Sequence, residues 1–213
     1  MAGLVLTLTG CVEVVQYISG SADSLDVYLR VALQKSAFEL ANSFADDPQD
    51  MDQVFENEFD LQEDDVIGDL PDFIQANYNP VNSEFEYGFE LRYKLRRDQL
   101  DALIDSGMLP DNDADAAFVP RVNDEGISIP LAEGGGTDAA AGGDQMAAAF
   151  LGGSKYRLMI SRRLAGTVSA ARLVTPEETT QLDVTELPDV WMIEFPVLLW
   201  LSAPAGARLE IEY

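Results

Sequence analysis

The chain has 213 residues, enough for one large domain or two small ones, and at 47% hydrophobic residues it can bury a core. Thirty-eight carboxylates stand against 13 cations and no histidine, a net charge of −25, which argues against the basic surface that phosphate backbones require. The single cysteine, Cys11, excludes an internal disulfide or a multi-cysteine metal site, and the missing histidine removes Ser-His-Asp chemistry and most zinc or iron centres.

The charge also points to a solvent. Asp outnumbers Glu by 22 to 16, and lysine is limited to Lys35, Lys94 and Lys155. Such a chain repels itself in dilute buffer. At 1 M salt the Debye length is only about 3 Å, and the repulsion largely disappears. The expectation is a protein adapted to near-saturated brine, with hydrated cations at its acidic surface. An ordinary acidic domain is the plainer alternative, but useful net charges of small domains are roughly 2–8 in magnitude.

Taken in order, Gly3 to Thr9 and Val12 to Ile18 read as short strands. Leu8-Thr9-Gly10-Cys11 resembles a lipobox. However, no basic residue precedes it, and Thr7 and Thr9 interrupt a short apolar core, so no signal peptide is expected. After a turn at 19–23, the apolar residues Leu25, Val27, Leu29, Val31 and Leu33 alternate with mostly polar ones, predicting the second strand of a hairpin. Ser36 is a candidate cap for a short helix carrying Phe38, Leu40 and Phe44, and Asp47-Pro48 starts another with a partial apolar stripe. Between Lys35 and Arg92 lie 16 acidic residues and no basic one, so 36–80 reads as an acidic helical and loop insertion, most simply a solvated face. Pro71, Asn77, Asn79 and Pro80 mark a loop at its end.

Phe85 to Leu95 is the clearest strand: every odd position is apolar or aromatic, and the even ones are Glu, Gly, Glu, Arg and Lys. A short helix is predicted from Asp98 to Gly107, then an acidic loop at 110–117. Phe118–Val122 and Gly126–Leu131 read as strands whose prolines suit sheet edges. Residues 132–153 form a Gly/Ala-rich loop. Tyr156, Leu158 and Ile160 alternate, and 166–174 is a further strand candidate. Thr175-Pro176-Glu177-Glu178 has the form of a capping box opening one helical turn. Trp191 to Trp200 is apolar on both faces, predicting a doubly covered central strand with a bulge at Pro196. Leu209, Ile211 and Tyr213 close the chain as a strand. The expectation is a single mainly β domain over 1–213, a sandwich or jelly-roll-like barrel of about ten strands with a few short helices. No stretch reaches the ~18 uncharged apolar residues of a membrane span.

The chemical motifs fail on inspection. Asp111-Asn112-Asp113-Ala114-Asp115 opens like a calcium loop, but Ala116 and Val122 stand where Gly and Glu are needed. Gly134 to Gly136 is followed by Thr137 and lacks the lysine of a phosphate loop. Carboxylate pairs for hydrolysis depend on geometry that a sequence with 38 carboxylates does not reveal. No catalytic, cofactor or metal residue is assigned. The scarce cations gather in two clusters, Arg92/Lys94/Arg96/Arg97 and Lys155/Arg157/Arg162/Arg163. They either pair with carboxylates of the same chain or meet acidic neighbours in an interface. The candidate interface residues are therefore Arg92, Lys94, Arg96, Arg97, Arg162 and Arg163, with Trp191 and Trp200 from the apolar strand.

In size, acidity and strand arrangement the chain resembles virion proteins of haloarchaeal viruses, particularly capsid subunits built on a single upright β-barrel. The resemblance implies a jelly-roll capsomer subunit in an icosahedral shell, assembled in the host cytoplasm and residing in the virion. Its partners would be further copies or other virion proteins, with no enzymatic activity, no cofactor and no nucleic acid bound. Two other classes compete. A ligand-binding or adhesion sandwich would show a concave patch with exposed aromatics such as Tyr78 or Tyr87, and a carboxylate hydrolase would place two carboxyls across a cleft.

Overall fold

The computed structural model describes residues 11–21, 23–42, 74–96, 98–99, 119–123, 125–131, 152–201 and 203–213. The strand expected at 3–9, the acidic run at 56–65, most of the helix expected from Asp98, the loop containing Asp111 to Asp115 and residues 132–151 lie outside them. So do Arg97 and the side chains of Phe38, Leu40 and Trp200.

Among the described residues, twelve strands form two open sheets. The strands are β1 (Val12–Ser21), β2 (Ser24–Gln34), β3 (Gln75–Asn82), β4 (Glu86–Arg96), β5 (Arg121–Val122) and β6 (Gly126–Pro130). They continue with β7 (Lys155–Ser161), β8 (Ala170–Val174), β9 (Thr179–Gln181), β10 (Val184–Glu186), β11 (Val190–Pro196) and β12 (Arg208–Glu212). One sheet has the order β10-β11-β7-β1-β2-β4-β3, the other β5-β6-β12-β8-β9. The mainly β sandwich expected from the alternation is present, but the barrel is not closed. At the centre of the long sheet β1 and β7 run parallel, a departure from the antiparallel pairing of jelly rolls.

The core lies between the sheets. Val14, Ile18, Leu29, Leu158, Ile160 and Ile193 point inward from the long sheet, and Ile127, Ile129, Leu173, Leu209 and Ile211 from the short one. Each comes from a strand with the alternating apolar pattern, so period two in sequence becomes one dry and one wet face. Within this core Tyr156 stacks on Phe195 with ring centroids 4.8 Å apart and donates its hydroxyl proton to the buried Gln16 side chain.

Local expectations at five segments give way to the tertiary structure. Residues 75–80 are part of strand β3 rather than loop. Pro80 is tolerated there because β3 is an edge, where a missing N–H breaks no second ladder. Strand β6 is not an edge: it lies between β5 and β12, and Pro130 falls at its last position. The helix α1 (Lys35–Asn42) begins before Ser36, where the Lys35 N–H donates to the Phe85 carbonyl oxygen. Thr175 does use its hydroxyl to accept from the N–H groups of Glu177 and Glu178, but it closes the β8–β9 hairpin instead of opening a helix. The β-forming Thr179 and Thr180 that follow favour the ladder over another helical turn. Trp191 to Trp200 divides at Pro196: β11 ends there, in unbroken register with β7, and Val197–Leu201 turns helical as α3. That strand has one buried face, with Trp191, Ile193 and Phe195, and one half-buried face.

Between the sheets α2 (Arg162–Ala165) carries the chain from β7 toward β8. The Ser161 hydroxyl accepts from the Arg163 N–H at its start, and Gly166 closes it at φ +55. The Trp191 indole N–H donates to the Gly166 carbonyl at 3.1 Å, tying this corner to β11.

Candidate functional site on the outer face of the long sheet

The face of the long sheet turned away from the core is organised in cross-strand rows, because strand register places residues of distant sequence side by side. One row carries charge: Glu194, Arg157, Val15, Arg30, Glu90 and Asn79, from β11 to β3. The next is Met192, Met159, Tyr17, Tyr28, Arg92 and Asn77. Across six strands it extends about 24 Å at the usual spacing of roughly 4.8 Å.

Together with Glu13 and Glu86 from neighbouring rows, the charged row forms a network. Glu13 bridges two arginines, with one oxygen 2.8 Å from Arg30 Nη1 and the other 3.1 Å from Arg157 Nη1. Arg30 also reaches Glu86 at 2.6 Å and stands 3.8 Å from Glu90. Arg157 pairs with Glu194 at 2.8 Å. This hydrogen bond, with Lys155 assisting, holds the Glu194 carboxyl below its ordinary range against the opposing effect of burial. Tyr28 donates its hydroxyl proton to Glu90 at 2.9 Å. Burial is the first cause that raises the Tyr28 pKa, and the bond to Glu90 is the second. Gly88 gives this face a flat spot beside Ala32, since a Cβ there would run into the Val31 carbonyl oxygen.

Arg30 is the hub, its side chain only 19% exposed. Arg30→Ala leaves Glu13, Glu86 and Glu90 facing one another across β1, β2 and β4. The expected destabilisation is about 1–3 kcal/mol, kept modest because the carboxylates are partly solvated. Arg30→Lys should recover only part of it, having lost the planar fork. Denaturant titration in concentrated salt reads both.

Most sequence-predicted interface residues find partners within the chain. Lys94 pairs with Asp26 at 3.2 Å, Arg96 with Asp98 at 2.6 Å and Arg162 with Glu186 at 2.9 Å. The Arg162 guanidinium also lies 5.1 Å from the Trp191 ring centroid, and that of Arg92 lies 5.0 Å from the Tyr28 ring centroid. Trp191 is a core residue at 7% exposure, and Arg163 is exposed. Among the described residues, Arg30, Lys94, Arg96, Lys155, Arg157, Arg162, Arg172 and Arg208 are thus ion-paired inside the chain. The structure therefore gives these cations partners within the chain.

Two features were not read from the sequence. The first is a depression of about 640 Å³ on the outer face, lined by Tyr17, Asp26, Tyr28, Asn77, Arg92 and Lys94 among others. The aromatics named as ligand candidates are elsewhere: Tyr78 stacks on Phe89 at 6.0 Å, and Tyr87 is half-buried opposite Leu33. The second is the β3 edge. Gln75-Ala76-Asn77-Tyr78-Asn79-Pro80-Val81-Asn82 is eight residues long and carries no charge. The other edge strands β5, β9 and β10 have two, three and three residues.

A second depression beside β6 and β12 is lined by Glu125, Glu210 and Glu212 among others. Glu210 and Glu212 are held there by Arg208 and Arg172. Among the described residues no group of three or more His, Cys, Asp or Glu side chains is placed to hold a metal ion, and no helix is long and apolar enough to cross a membrane. Compared with known proteins, the sequence matches no protein-family model, and no curated protein matches it.

Proposed function

We propose that this chain is a structural subunit of a halophilic archaeal virus particle, building the capsid by packing against further copies or other virion proteins in concentrated salt, without enzymatic activity of its own. The observation that carries the reading is the β3 edge. Sheet edges are normally blunted by shortness or charge. In a chain of net charge −25, this long edge has neither protection, and only Pro80 interrupts it. Two like-charged copies repel over most of their surfaces but can approach here, where backbone N–H and C=O groups pair and the strand's own side chains carry no charge. High salt screens the remaining repulsion. The cations paired within the chain stiffen each subunit and leave the contact to the backbone edge and to apolar surface.

The test is the solution mass in about 3 M KCl. The wild type should sediment as multiples of 23.3 kDa, in a concentration-dependent way. Asn79→Lys, which puts a charge on the edge, should weaken association by about tenfold or more, with the fold retained. A wild type that stays monomeric at all concentrations would defeat the proposal. Unchanged association of Asn79→Lys would remove the edge from it.

A further inference from the structure

We infer that the depression on the outer face between β1 and β3 is a saccharide-binding site, filled by one or two pyranose rings of a neutral glycan. Its volume of about 640 Å³ lies within the range of small-ligand sites. Tyr17 and Tyr28 are direct cross-strand partners and supply its aromatic floor. Arg92 lies against the Tyr28 ring, so the Tyr17 ring is the surface left for the ligand. The negative face of an aromatic ring attracts the weakly positive C–H groups that a sugar ring presents on its apolar side.

Beside the apolar Val27, Ala76 and Tyr93, the lining carries a few polar groups. Asn77 offers a planar amide, already oriented by a 2.8 Å hydrogen bond in which its Oδ1 accepts from Asn79 Nδ2. Asp26 and Lys94 sit opposite each other in the β2–β4 ladder and pair at 3.2 Å. The lining thus offers both acceptors and donors, which suits a sugar, whose hydroxyls both give and receive protons.

Charge decides between ligand classes. The Asp26–Lys94 pair cancels, leaving Arg92 as the one uncancelled charge among the six residues named, and that cation lies on Tyr28. With Lys94 paired to Asp26, a polyanion meets a single uncancelled cation among these residues, and the field of the chain at −25 opposes it. A purely apolar ligand would strip water from the amide and the ion pair without replacing its bonds. A neutral polyhydroxylated ring satisfies both faces. The site lies on the sheet face, not along the β3 edge, and does not depend on subunit assembly.

The experiment uses the full chain in about 3 M KCl, first on an array of neutral hexose, N-acetylhexosamine and uronate oligosaccharides, then by titration with the best neutral binder. The wild type should bind saturably. Tyr17→Ala should weaken binding by about tenfold, and Asn77→Ala several-fold. Thr180→Ala, on β9 of the other sheet, should bind like the wild type. Asn77 is exposed, so its variant tests the site even where Tyr17→Ala perturbs the fold. No glycan bound, binding unmoved by both variants, or binding only to uronates would each overturn the inference. A monomeric Val81→Lys, on β3 but outside the lining of the depression, that still binds would separate this site from the assembly edge.

Discussion

Moved from about 3 M KCl to about 0.1 M, the protein is expected to lose most of a folding margin that for domains is about 5–15 kcal/mol. The cause is the net charge of −25. At low salt the Debye length grows to about 10 Å, so carboxylates on adjacent strands and turns feel one another. Even the network on the long sheet is weighted to acid: Arg30, Arg157 and Lys155 face Glu13, Glu86, Glu90 and Glu194. A loss of about 5 kcal/mol corresponds to a fall in Tm of roughly 10–20 °C for a chain of this size. Circular dichroism across a salt series reads it directly. A Tm constant to a few degrees from dilute buffer to brine would mean that the acidity is incidental to folding.

The second large effect is in the core. Tyr156→Ala is expected to cost about 3–5 kcal/mol, through lost burial and the cavity beside Phe195. The side chain is fully buried, and its ring lies only 24° from parallel with that of Phe195. Tyr156→Phe keeps the ring and removes the proton given to Gln16, so its cost should be about 1–2 kcal/mol. Combined with Gln16→Leu, it should cost less than the sum of the two single changes. The same residue sets an alkaline limit. Burial pushes the hydroxyls of Tyr93 and Tyr156 well above the ordinary tyrosine range. A folded-state pKa raised above the unfolded one gives stability that is complete below about pH 10 and is lost as pH rises toward the folded value. The slope there is up to about 1.4 kcal/mol per pH unit for each buried tyrosine. Tyr156→Phe should flatten it; an unchanged slope would mean that Tyr156 ionises as freely folded as unfolded.

The strands were legible where alternation was clean. Val27 and Leu29 against Asp26 and Tyr28, or Leu209 and Ile211 against Arg208 and Glu210, state their inner and outer faces directly. Local signals misled where two structures share one chemistry. The Thr175 hydroxyl satisfies N–H groups equally well in a helical cap and in a hairpin turn, and strand pairing at Thr179 decided between them. Pro80 and its neighbouring asparagines looked like loop because sequence does not show that a strand lies at an edge. The outer-face rows were unreadable for a different reason. Glu13 meets Arg157 from 144 residues away, and Tyr28 meets Glu90 from 62. Such neighbours are set by sheet order, above all by the parallel β1–β7 pair, which no periodicity in the chain encodes.

Electron cryomicroscopy of the purified chain in about 3 M KCl tests the central claim most directly. Regular multi-subunit assemblies are expected, with long sheets of adjacent subunits abutting at β3. A field of solitary 23.3 kDa particles at every concentration would contradict it.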